Sequence, residues 1–311
     1  MKAYLLYEAG GTDKLVLSET QRPALKSGEV LIRIKAIGIN PADAIYRNSA
    51  AFITQIFGQG RPVILGWDIA GVIVEKAENT QGFELGDAVF ALLHNAGGYA
   101  EFVAVNIGLL AHKPENITFE EAAASPMAGL TAWQPLVHGM NIKKGDKILI
   151  HGAAGGVGHY AVQIAKYLGA EVIATSSGKN HNFVISLGAD KHIDYQTKNF
   201  WEEIGDADFV FDTIGGETLE HSIDVTKPGG TIISILAFTK DGLMAKAQEK
   251  NINLTLWGLQ FNGDDLRGFA DLMSKGVIKS YIAKTYPFAA MAEAHSQVET
   301  RRTAGKIVVK V

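Results

Sequence analysis

The clearest chemical signal in the sequence is a glycine-rich turn, Gly152-Ala-Ala-Gly-Gly-Val-Gly158, between an apolar strand at Lys147–His151 and a helix that starts near its last residues. Glycine lets the main chain turn sharply and come close to a ligand, and the first N–H groups of a helix attract phosphate oxygens. Ala153 replaces the first glycine of a strict G-x-G-x-x-G pattern, but the strand, the helix and the following βαβ unit fit. The turn therefore predicts a dinucleotide site built from Ala154, Gly155, Gly156, Val157 and Gly158.

The residues that follow the second predicted strand indicate which dinucleotide fits. An NAD site usually places an Asp or Glu there, about 20 residues after the glycines, to hold the ribose 2′-hydroxyl. This chain has Ala174-Thr-Ser-Ser-Gly-Lys179 and no carboxylate in the segment. Ser176 and Ser177 offer hydroxyl groups and Lys179 offers a positive charge, which favours NADPH over NADH. The alternative is a polar surface loop, with Lys179 in particular contacting nothing.

The elements around these residues follow two patterns. Up to about residue 115, short strands such as Val30–Ile37 alternate with glycine turns, which is typical of a barrel-like or sandwich-like β domain. From Thr118, which with Glu121 resembles a capping box, strands and helices alternate, and this indicates a parallel sheet with right-handed crossovers. After about residue 265, a helix at Met291–Thr300 and a strand at Lys306–Val311 return to the first domain.

Composition excludes several classes of protein. The 311 residues carry a net charge of −4 and no cysteine, which removes disulfides, thiolate nucleophiles and thiolate-bound zinc. No clustered basic excess points to nucleic acid. No apolar run approaches the roughly 18 residues that a membrane span needs. We expect a cytosolic protein with a small-molecule substrate and neither a nucleic-acid nor a membrane partner.

Several segments carry a family resemblance, and they are Gly38-Ile-Asn-Pro-Ala-Asp43, Leu65-Gly-Trp-Asp-Ile-Ala-Gly71, Gly98-Tyr-Ala-Glu101, Gly129-Leu-Thr-Ala-Trp133, Gly152–Gly158, Lys227-Pro-Gly-Gly230 and Ala304-Gly-Lys-Ile307. In this order, over nearly the whole chain, they resemble the medium-chain dehydrogenase/reductase superfamily, and specifically its quinone oxidoreductase branch. The resemblance implies an α/β protein with a GroES-like β-barrel domain at residues 1–118. It also implies a Rossmann domain, a doubly wound parallel sheet, at 119–264, and a return segment at 265–311 that completes the first domain. The active site is expected in the cleft between them.

The chain departs from the zinc-using members of that superfamily. Those enzymes have a cysteine where this chain has Asn40, and a His-Glu pair where it has Trp67-Asp68. A catalytic zinc site needs three protein ligands, so we expect no metal. Oxidation of a simple alcohol would then lack its usual Lewis acid. Reduction of a quinone or an α,β-unsaturated carbonyl stays feasible, because these acceptors are already polarised.

The same resemblance implies residues near the reacting atoms, namely Asn40, Asp43, Tyr46, Trp67 and Thr131. Asn40 would donate to a carbonyl oxygen or hold a water, although Asn-Pro also favours a plain turn. Tyr46 would donate a proton or stack on a quinone, unless it is a core aromatic. Trp67 would form an apolar wall, and Asp68 would pair with Arg47 or another cation. Thr131 would approach the nicotinamide, unless it bonds its own helix.

Further cofactor contacts come from the later strands. Tyr195 matches a family position near the 2′-phosphate, and Asp212 and Gly215 would border the cofactor cleft at the end of a strand. Leu236 and Phe238 belong to the loop expected beside the nicotinamide. We take none of the nine histidines as a metal ligand, since no pair has the spacing of H-E-x-x-H. His151, inside a strand, is expected to be packed or hydrogen-bonded.

Together these features predict an NADPH-dependent oxidoreductase that transfers hydride to a quinone-like or α,β-unsaturated carbonyl acceptor without zinc. An enone or enoyl reductase acting on carbon–carbon double bonds is the nearest alternative. A non-catalytic NADPH-binding protein is another. Relatives suggest a homodimer formed through the flat, apolar edge strand at Ile252–Trp257.

Overall fold

The computed structural model describes residues 1–238 and 240–311. The chain forms two compact units, one of residues 1–128 with 261–311 and the other of residues 129–260. The sequence placed the boundaries after residues 118 and 264. They lie elsewhere because the helix at Phe119–Ala123 packs on strands of the first unit, and so does the helix at Gly263–Ser274.

The strands, in chain order, are β1 (Lys2–Leu6), β2 (Leu15–Glu19), β3 (Glu29–Ile39), β4 (Asp68–Lys76), β5 (Ala88–Leu92), β6 (Phe102–Asn106), β7 (Leu110–His112), β8 (Lys147–Ile150), β9 (Glu171–Ser176), β10 (Lys191–Asp194), β11 (Ala207–Asp212), β12 (Thr226–Ser234), β13 (Asn253–Leu256), β14 (Ile282–Pro287) and β15 (Lys306–Lys310). The α-helices are α1 (Pro41–Asn48), α2 (Ala50–Phe57), α3 (Phe119–Ala123), α4 (Pro126–Gln134), α5 (Gly158–Tyr167), α6 (His181–Ser186), α7 (Phe200–Glu203), α8 (Gly216–Val225), α9 (Leu243–Glu249), α10 (Gly263–Ser274) and α11 (Met291–Glu299).

The second unit contains a six-stranded parallel sheet in the order β10-β9-β8-β11-β12-β13. Its central strands are continuous apolar runs, such as Ile148–Ile150, because both faces of a parallel sheet are covered by helices. The predicted α/β architecture with a parallel sheet is confirmed. Strand order reverses beside β8, which pairs with β9 on one side and β11 on the other. Ligands of such sheets bind at the carboxyl ends of the strands at this switch point.

The first unit contains a seven-stranded sheet in the order β14-β15-β3-β4-β5-β7, with β6 also paired to β3. Among the described residues these strands follow an open path, so a closed barrel is not confirmed. The pairing of β15 with β3 places Ile307 opposite Ile39, and the pairing of β3 with β4 places Gly38 opposite Asp68. Distant parts of the chain therefore meet at the end of β3.

Local sequence signals set several helix ends. The predicted capping box is present at the start of α3, where Thr118 Oγ1 accepts from the N–H of Glu121 at 3.1 Å and Glu121 Oε2 accepts from the N–H of Thr118 at 2.8 Å. This arrangement satisfies two N–H groups that a helix start leaves open. Over the described part of the chain, no helix combines the length and the apolar content that a bilayer crossing requires.

Candidate functional site

The glycine turn has a geometry that only glycine allows at its critical positions. Gly152 has a φ of +63°, in the left-handed region. A Cβ at Gly158 would lie 2.2 Å from the carbonyl oxygen of Gly152 and 2.7 Å from Cα of Ala153. The start of α5 therefore packs directly against the turn that follows β8, and a side chain at Gly158 would not fit there.

The same turn leaves main-chain donors open. Within the described chain, the N–H groups of Gly156, Val157 and Gly158 have no hydrogen-bond partner, and Val157 caps α5 without a side-chain bond. The first turn of α5 contains no acidic residue. Open donors and the positive end of a ten-residue helix form a suitable cradle for the pyrophosphate of a dinucleotide. Ala154 is buried in this turn, and the N–H of Gly155 is bonded to the carbonyl of Gly152 at 2.8 Å.

Asp212, at the end of β11, organises the loops on the other side of the switch point. Its carboxylate accepts from the N–H groups of Ile214 at 3.0 Å and Gly215 at 3.0 Å, and from Ser234 Oγ at 2.8 Å. Ser234 Oγ in turn accepts from the N–H of Leu236 at 3.2 Å. Asp212 is fully buried, and its hydrogen bonds connect the residues that follow β11 with the end of β12. The structure thus brings Asp212, Gly215 and Leu236, three of the predicted cofactor contacts, together at one sheet edge.

The loop that follows β12 has two predicted cofactor residues with different surroundings. Leu236 is 42% exposed, which leaves its side chain available to a ligand. Phe238 is partly buried and packs against the apolar core beneath the sheet. The ring of Phe238 therefore anchors the loop.

The ends of β9 and β10 hold the residues predicted to select the cofactor. Ser176 and Ser177 are buried, whereas Lys179 and Tyr195 are exposed, Tyr195 by 62%. Ser176 Oγ lies 2.8 Å from Nε2 of His192. The hydroxyl of Ser177 accepts from Asn180 Nδ2 at 3.2 Å. The position of His192 is not evident from the sequence, because the contact depends on the register of two parallel strands.

His151 has a structural environment, as predicted. Ser222 Oγ donates to the carbonyl of Thr218 at 2.7 Å, so it accepts from His151 Nε2 at 3.0 Å. Nδ1 is then the acceptor for Thr175 Oγ1, at 2.9 Å. Burial lowers the pKa of His151 to about 4, so the ring is neutral near pH 7.

In the first unit, Asn40 belongs to a buried polar cluster with Asp68 and Lys306. Asn40 Nδ2 donates to Asp68 Oδ2 at 2.8 Å, and Asn40 Oδ1 accepts from Lys306 Nζ. Lys306 Nζ also donates to the carbonyl of Ile39 at 3.3 Å. The remaining Asp68 oxygen, Oδ1, accepts from the N–H of Met127 at 2.8 Å. The amide of Asn40 is therefore occupied on both sides by charged protein groups.

Asp68 was expected to pair with Arg47 or another cation, and the structure shows the second alternative, with Lys306 as the cation. Lys306 Nζ lies 3.7 Å from Asp68 Oδ2, and both side chains are buried. Burial raises the pKa of Asp68 and lowers that of Lys306, and each charge opposes the shift of the other. Arg47 instead forms an ion pair with Glu299 at 2.5 Å.

Asp43 lies at the start of α1, next to a chain of hydrogen bonds. Its Oδ2 accepts from the N–H of Asn40 at 2.8 Å, while Oδ1 has no partner of good geometry. Arg47 Nη1 donates to His295 Nδ1 at 2.9 Å, so the ring proton is on Nε2, which donates to the Tyr99 hydroxyl at 2.8 Å. Burial raises the pKa of Asp43 to about 7. Burial lowers that of His295 to about 3.

The predicted aromatic residues contact each other. The ring centroids of Tyr46 and Trp67 are 5.0 Å apart, and the ring of Tyr46 also meets Phe52 at 5.6 Å. Tyr46 is partly buried, Trp67 is 3% exposed and Phe52 is 43% exposed. Trp67 thus presents little surface of its own, and Phe52 is an exposed aromatic neighbour that sequence reasoning missed. Thr131 lies partly buried in α4.

Sequence reasoning also missed four other members of these clusters, namely Tyr99, His192, His295 and Lys306. It did not predict the contact between Arg47 and His295 either. Tyr99 and Lys306 fall inside segments that carry the family resemblance, Gly98–Glu101 and Ala304–Ile307. A lysine beside the apolar residues of β15 is a signal that could have been used, because a buried lysine needs an acidic or polar partner. Within residues 1–238 and 240–311, no three His, Asp or Glu side chains form a group that could hold a metal ion.

Comparison with known proteins gives consistent matches over the whole chain. Residues 26–115 match the family described as alcohol dehydrogenase GroES-like domain, and residues 187–309 match the one described as zinc-binding dehydrogenase. The chloroplastic NADPH-dependent alkenal/one oxidoreductase of Arabidopsis thaliana is 33% identical over 323 aligned positions, covering 99% of this chain and 79% of that protein.

Solved structures of quinone oxidoreductases match the whole chain as well. The quinone oxidoreductase from Coxiella burnetii superposes with a TM-score of 0.92 at 33% identity, covering 100% of this chain and 99% of that one. The quinone oxidoreductase of Escherichia coli, solved in complex with NADPH, gives 0.89 at 27% identity and covers 100% of both chains. Identity at this level over nearly the full length shows that the chain belongs to the medium-chain dehydrogenase/reductase superfamily, in its zinc-independent quinone oxidoreductase branch.

Proposed function

We propose that this chain is an NADPH-dependent oxidoreductase that transfers hydride to a quinone-like or α,β-unsaturated carbonyl acceptor without zinc. The observation that carries the proposal is the cradle of open N–H groups at Gly156, Val157 and Gly158, at the switch point of a parallel sheet. The nicotinamide of NAD(P)H supplies the hydride when the cofactor is bound. The protein's own task is to bind the two reactants and orient them, and such positioning supplies a large part of a rate enhancement.

NADPH is preferred to NADH in this proposal because of the residues after β9. Ser176 and Ser177 place hydroxyl groups there, and Lys179 and Tyr195 are exposed beside them. No carboxylate follows β9 directly, so the usual partner of a free ribose 2′-hydroxyl is missing. The Arabidopsis relative is named as NADPH-dependent, and the Escherichia coli structure contains NADPH, which supports the same choice.

The residues that the family resemblance places at metal-ligand positions favour a particular class of acceptor. Asn40 is held between Asp68 and Lys306, and Trp67 is an apolar residue packed against Tyr46. This donor set offers a buried ammonium group and no three ligands for a Lewis acid. An acceptor that carries its own polarised carbonyl suits it better than an unactivated alcohol does. Tyr46 is proposed to contact the acceptor, and Thr131 to lie near the nicotinamide.

The test is oxidation of NADPH by the purified protein with 1,4-benzoquinone, 9,10-phenanthrenequinone and simple enones as acceptors. We expect turnover with at least one of these acceptors, and faster turnover with NADPH than with NADH. No turnover with any of them would remove the proposal. Product analysis then separates the two reaction types, since quinone reduction yields a hydroquinone and double-bond reduction yields a saturated ketone.

Reduction of an enone carbon–carbon double bond is the second candidate, and the name of the Arabidopsis alkenal/one oxidoreductase favours it. Both reactions require the same hydride donor, so the same cofactor site serves either. The homodimer and the cytosolic location stay predictions. Among residues 1–238 and 240–311, strand β13 is paired only to β12 and so lies at the edge of its sheet, as the proposed dimer contact requires.

A further inference from the structure

Asn40 has one polar group that the protein leaves open. Its main-chain N–H donates to Asp43 Oδ2 at 2.8 Å, and its carbonyl accepts from the N–H of Asp43 at 3.0 Å. In the side chain, Oδ1 accepts from Lys306 Nζ, and Nδ2 donates to Asp68 Oδ2 at 2.8 Å. A primary amide carries two N–H groups on its nitrogen. Within the described chain, the second N–H of Nδ2 therefore has no protein acceptor, although Asn40 is only 3% exposed.

The two charged neighbours fix the orientation of this amide. An ammonium group can only donate and a carboxylate can only accept, so the amide oxygen must face Lys306 and the nitrogen must face Asp68. Both charged groups are themselves held, since Lys306 Nζ also donates to the carbonyl of Ile39 at 3.3 Å and Asp68 Oδ1 accepts from the N–H of Met127 at 2.8 Å. The group left open on Asn40 is thus a donor and never an acceptor.

The charges of the two neighbours also compensate each other. Lys306 Nζ lies 3.7 Å from Asp68 Oδ2, and both side chains are buried. Without the ammonium group, the carboxylate would lie beside Asn40 uncompensated and would repel a negatively charged oxygen bound there. The pair therefore orients the amide of Asn40 without adding a net charge next to it.

The open N–H matches the oxygen of a carbonyl acceptor. Unpaired buried donors are rare in proteins, because the lost hydrogen bond to water costs free energy. When the nicotinamide is oxidised, its hydride forms a C–H bond in the acceptor, and π electrons of the acceptor move onto the carbonyl oxygen. Water then supplies the proton that completes the reduction. A fixed donor at this oxygen stabilises the negative charge that develops there.

We propose that the open N–H of Asn40 binds the carbonyl oxygen of the acceptor, and that Lys306 and Asp68 are positioning residues that hold this N–H in one direction. The inference rests on the proposed function and adds to it a role for Lys306 in the reaction. The terminal amide torsion of an asparagine is otherwise broad, so an amide without charged neighbours would sample many directions.

The test uses variants that remove the donor and its neighbours separately and together. Asn40→Ala removes the donor. Lys306→Met combined with Asp68→Asn removes both charged neighbours and leaves no unpaired charge in the core, and the triple variant combines all three changes. Asn48→Ala is the matched control, because Asn48 is also on α1 and its amide donates to the carbonyl of Ala44 and to Glu299.

The first measurement is the rate constant of hydride transfer in a single turnover, with NADPH bound beforehand and 2-cyclohexen-1-one or 9,10-phenanthrenequinone added. We expect Asn40→Ala to lower this rate constant about a hundredfold. The double variant should lower it about tenfold. The triple variant should be no slower than Asn40→Ala, because both changes act through the same N–H. Misfolded protein lowers the amplitude and leaves the rate constant unchanged, and Asn48→Ala should match the wild type.

The second measurement does not depend on turnover. Infrared difference spectra record the carbonyl stretch of the same acceptor, labelled with carbon-13 at its carbonyl and bound together with NADP⁺, which has no hydride to give. A hydrogen bond to the oxygen weakens the C=O bond, so we expect a lower stretching frequency in the wild type and in Asn48→Ala than in Asn40→Ala. The double variant should show a broader band, because the direction of its amide varies.

The outcomes distinguish the inference from the function on which it rests. If the wild type oxidises NADPH and Asn40→Ala keeps both its rate constant and its carbonyl frequency, the role of Asn40 is overturned while the proposed function stands. If the losses in Asn40→Ala and the double variant multiply in the triple variant, Lys306 and Asp68 do not act through Asn40. If the wild type reduces no acceptor, the proposed function fails first.

Discussion

The ammonium group of Lys306 lies 3.7 Å from the carboxylate of Asp68, and both side chains are buried in the first unit. The two residues are far apart in the chain and meet because β15 and β4 both pair with β3. Asn40 connects them, accepting from Lys306 and donating to Asp68. The cluster thus holds the start of α1 and the N–H of Met127 at one place in the fold.

Removal of the cation from this cluster should cost much of the stability of the first unit. Lys306→Met leaves Asp68 buried without its counter-charge, and we expect the free energy of unfolding to fall by about 3–5 kcal/mol. Adding Asp68→Asn should recover a large part of that loss, because the uncompensated charge is gone. Urea unfolding measures the free energy of unfolding of the single and the double variant. Lys14→Met, which breaks an exposed ion pair with Glu8, is the control and should have a much smaller effect. Equal losses for Lys306→Met and the control would contradict the interpretation.

Gly158 should be the most sensitive position of the cofactor cradle. In Gly158→Ala the new methyl group would meet the carbonyl oxygen of Gly152 at 2.2 Å, so α5 must move away from β8. We expect the dissociation constant for NADPH to rise at least about tenfold and the stability to fall by about 1–3 kcal/mol. Gly205→Ala is the matched control, since a Cβ there meets nothing within 4 Å. NADPH titration and thermal unfolding check both values, and wild-type affinity in Gly158→Ala would refute the cradle.

Asp43 should make the protein less stable as the pH rises towards neutrality. Its pKa is raised from 3.8 to about 7, so between these values the folded state binds the proton and the unfolded state does not. The free energy of unfolding therefore falls as the pH rises from about 4 to about 7, by up to about 2–4 kcal/mol. Asp43→Asn removes this titration and should flatten that part of the curve. Denaturant unfolding across this pH range is the measurement, and an unchanged slope in the variant would count against it.

His295 should make the protein less stable as the pH falls, which is the opposite of the effect of Asp43. Its pKa is lowered from 6.5 to about 3 by burial and by Arg47, so the unfolded state binds a proton that the folded state does not. The free energy of unfolding should thus decrease as the pH falls from about 6.5 to about 3, with a slope of up to about 1.4 kcal/mol per pH unit. His295→Gln should be less sensitive to acid than the wild type. Thermal melts of the two proteins over this range compare the slopes, and parallel curves would exclude His295 as the cause.

Local patterns predicted the elements of the second unit well. The apolar run Lys147–His151, the glycine turn and the helix after it all form where the sequence indicated, because each depends on residues that are neighbours in the chain. The capping box of Thr118 and Glu121 is of the same kind.

The buried clusters could not be predicted in the same way. The contact of Asn40 with Lys306 depends on the pairing of β3 with β15, and nothing near Asn40 in the sequence indicates a lysine partner. The contact of His181 with His192 likewise depends on where α6 lies over β10. For Asn40, the sequence identified the residue and the turn that contains it. It did not identify Asp68 and Lys306 as the charged groups that hydrogen-bond to its side-chain amide.

The division of the first unit into two stretches of chain has a consequence for synthesis. Ribosomes release the chain from its N-terminus, so residues 129–260 are complete and can fold while the last strand of the first unit is still being made. Until then, the stretch of β3 at residues 36–39 lacks its partner β15, Asp68 lacks the ammonium group that compensates its charge, and Asn40 Oδ1 lacks its donor. During synthesis, the first unit therefore has an unpaired strand edge for a longer time than the second. We expect it to form non-native strand pairs more often and to bind chaperones more often than the second unit does.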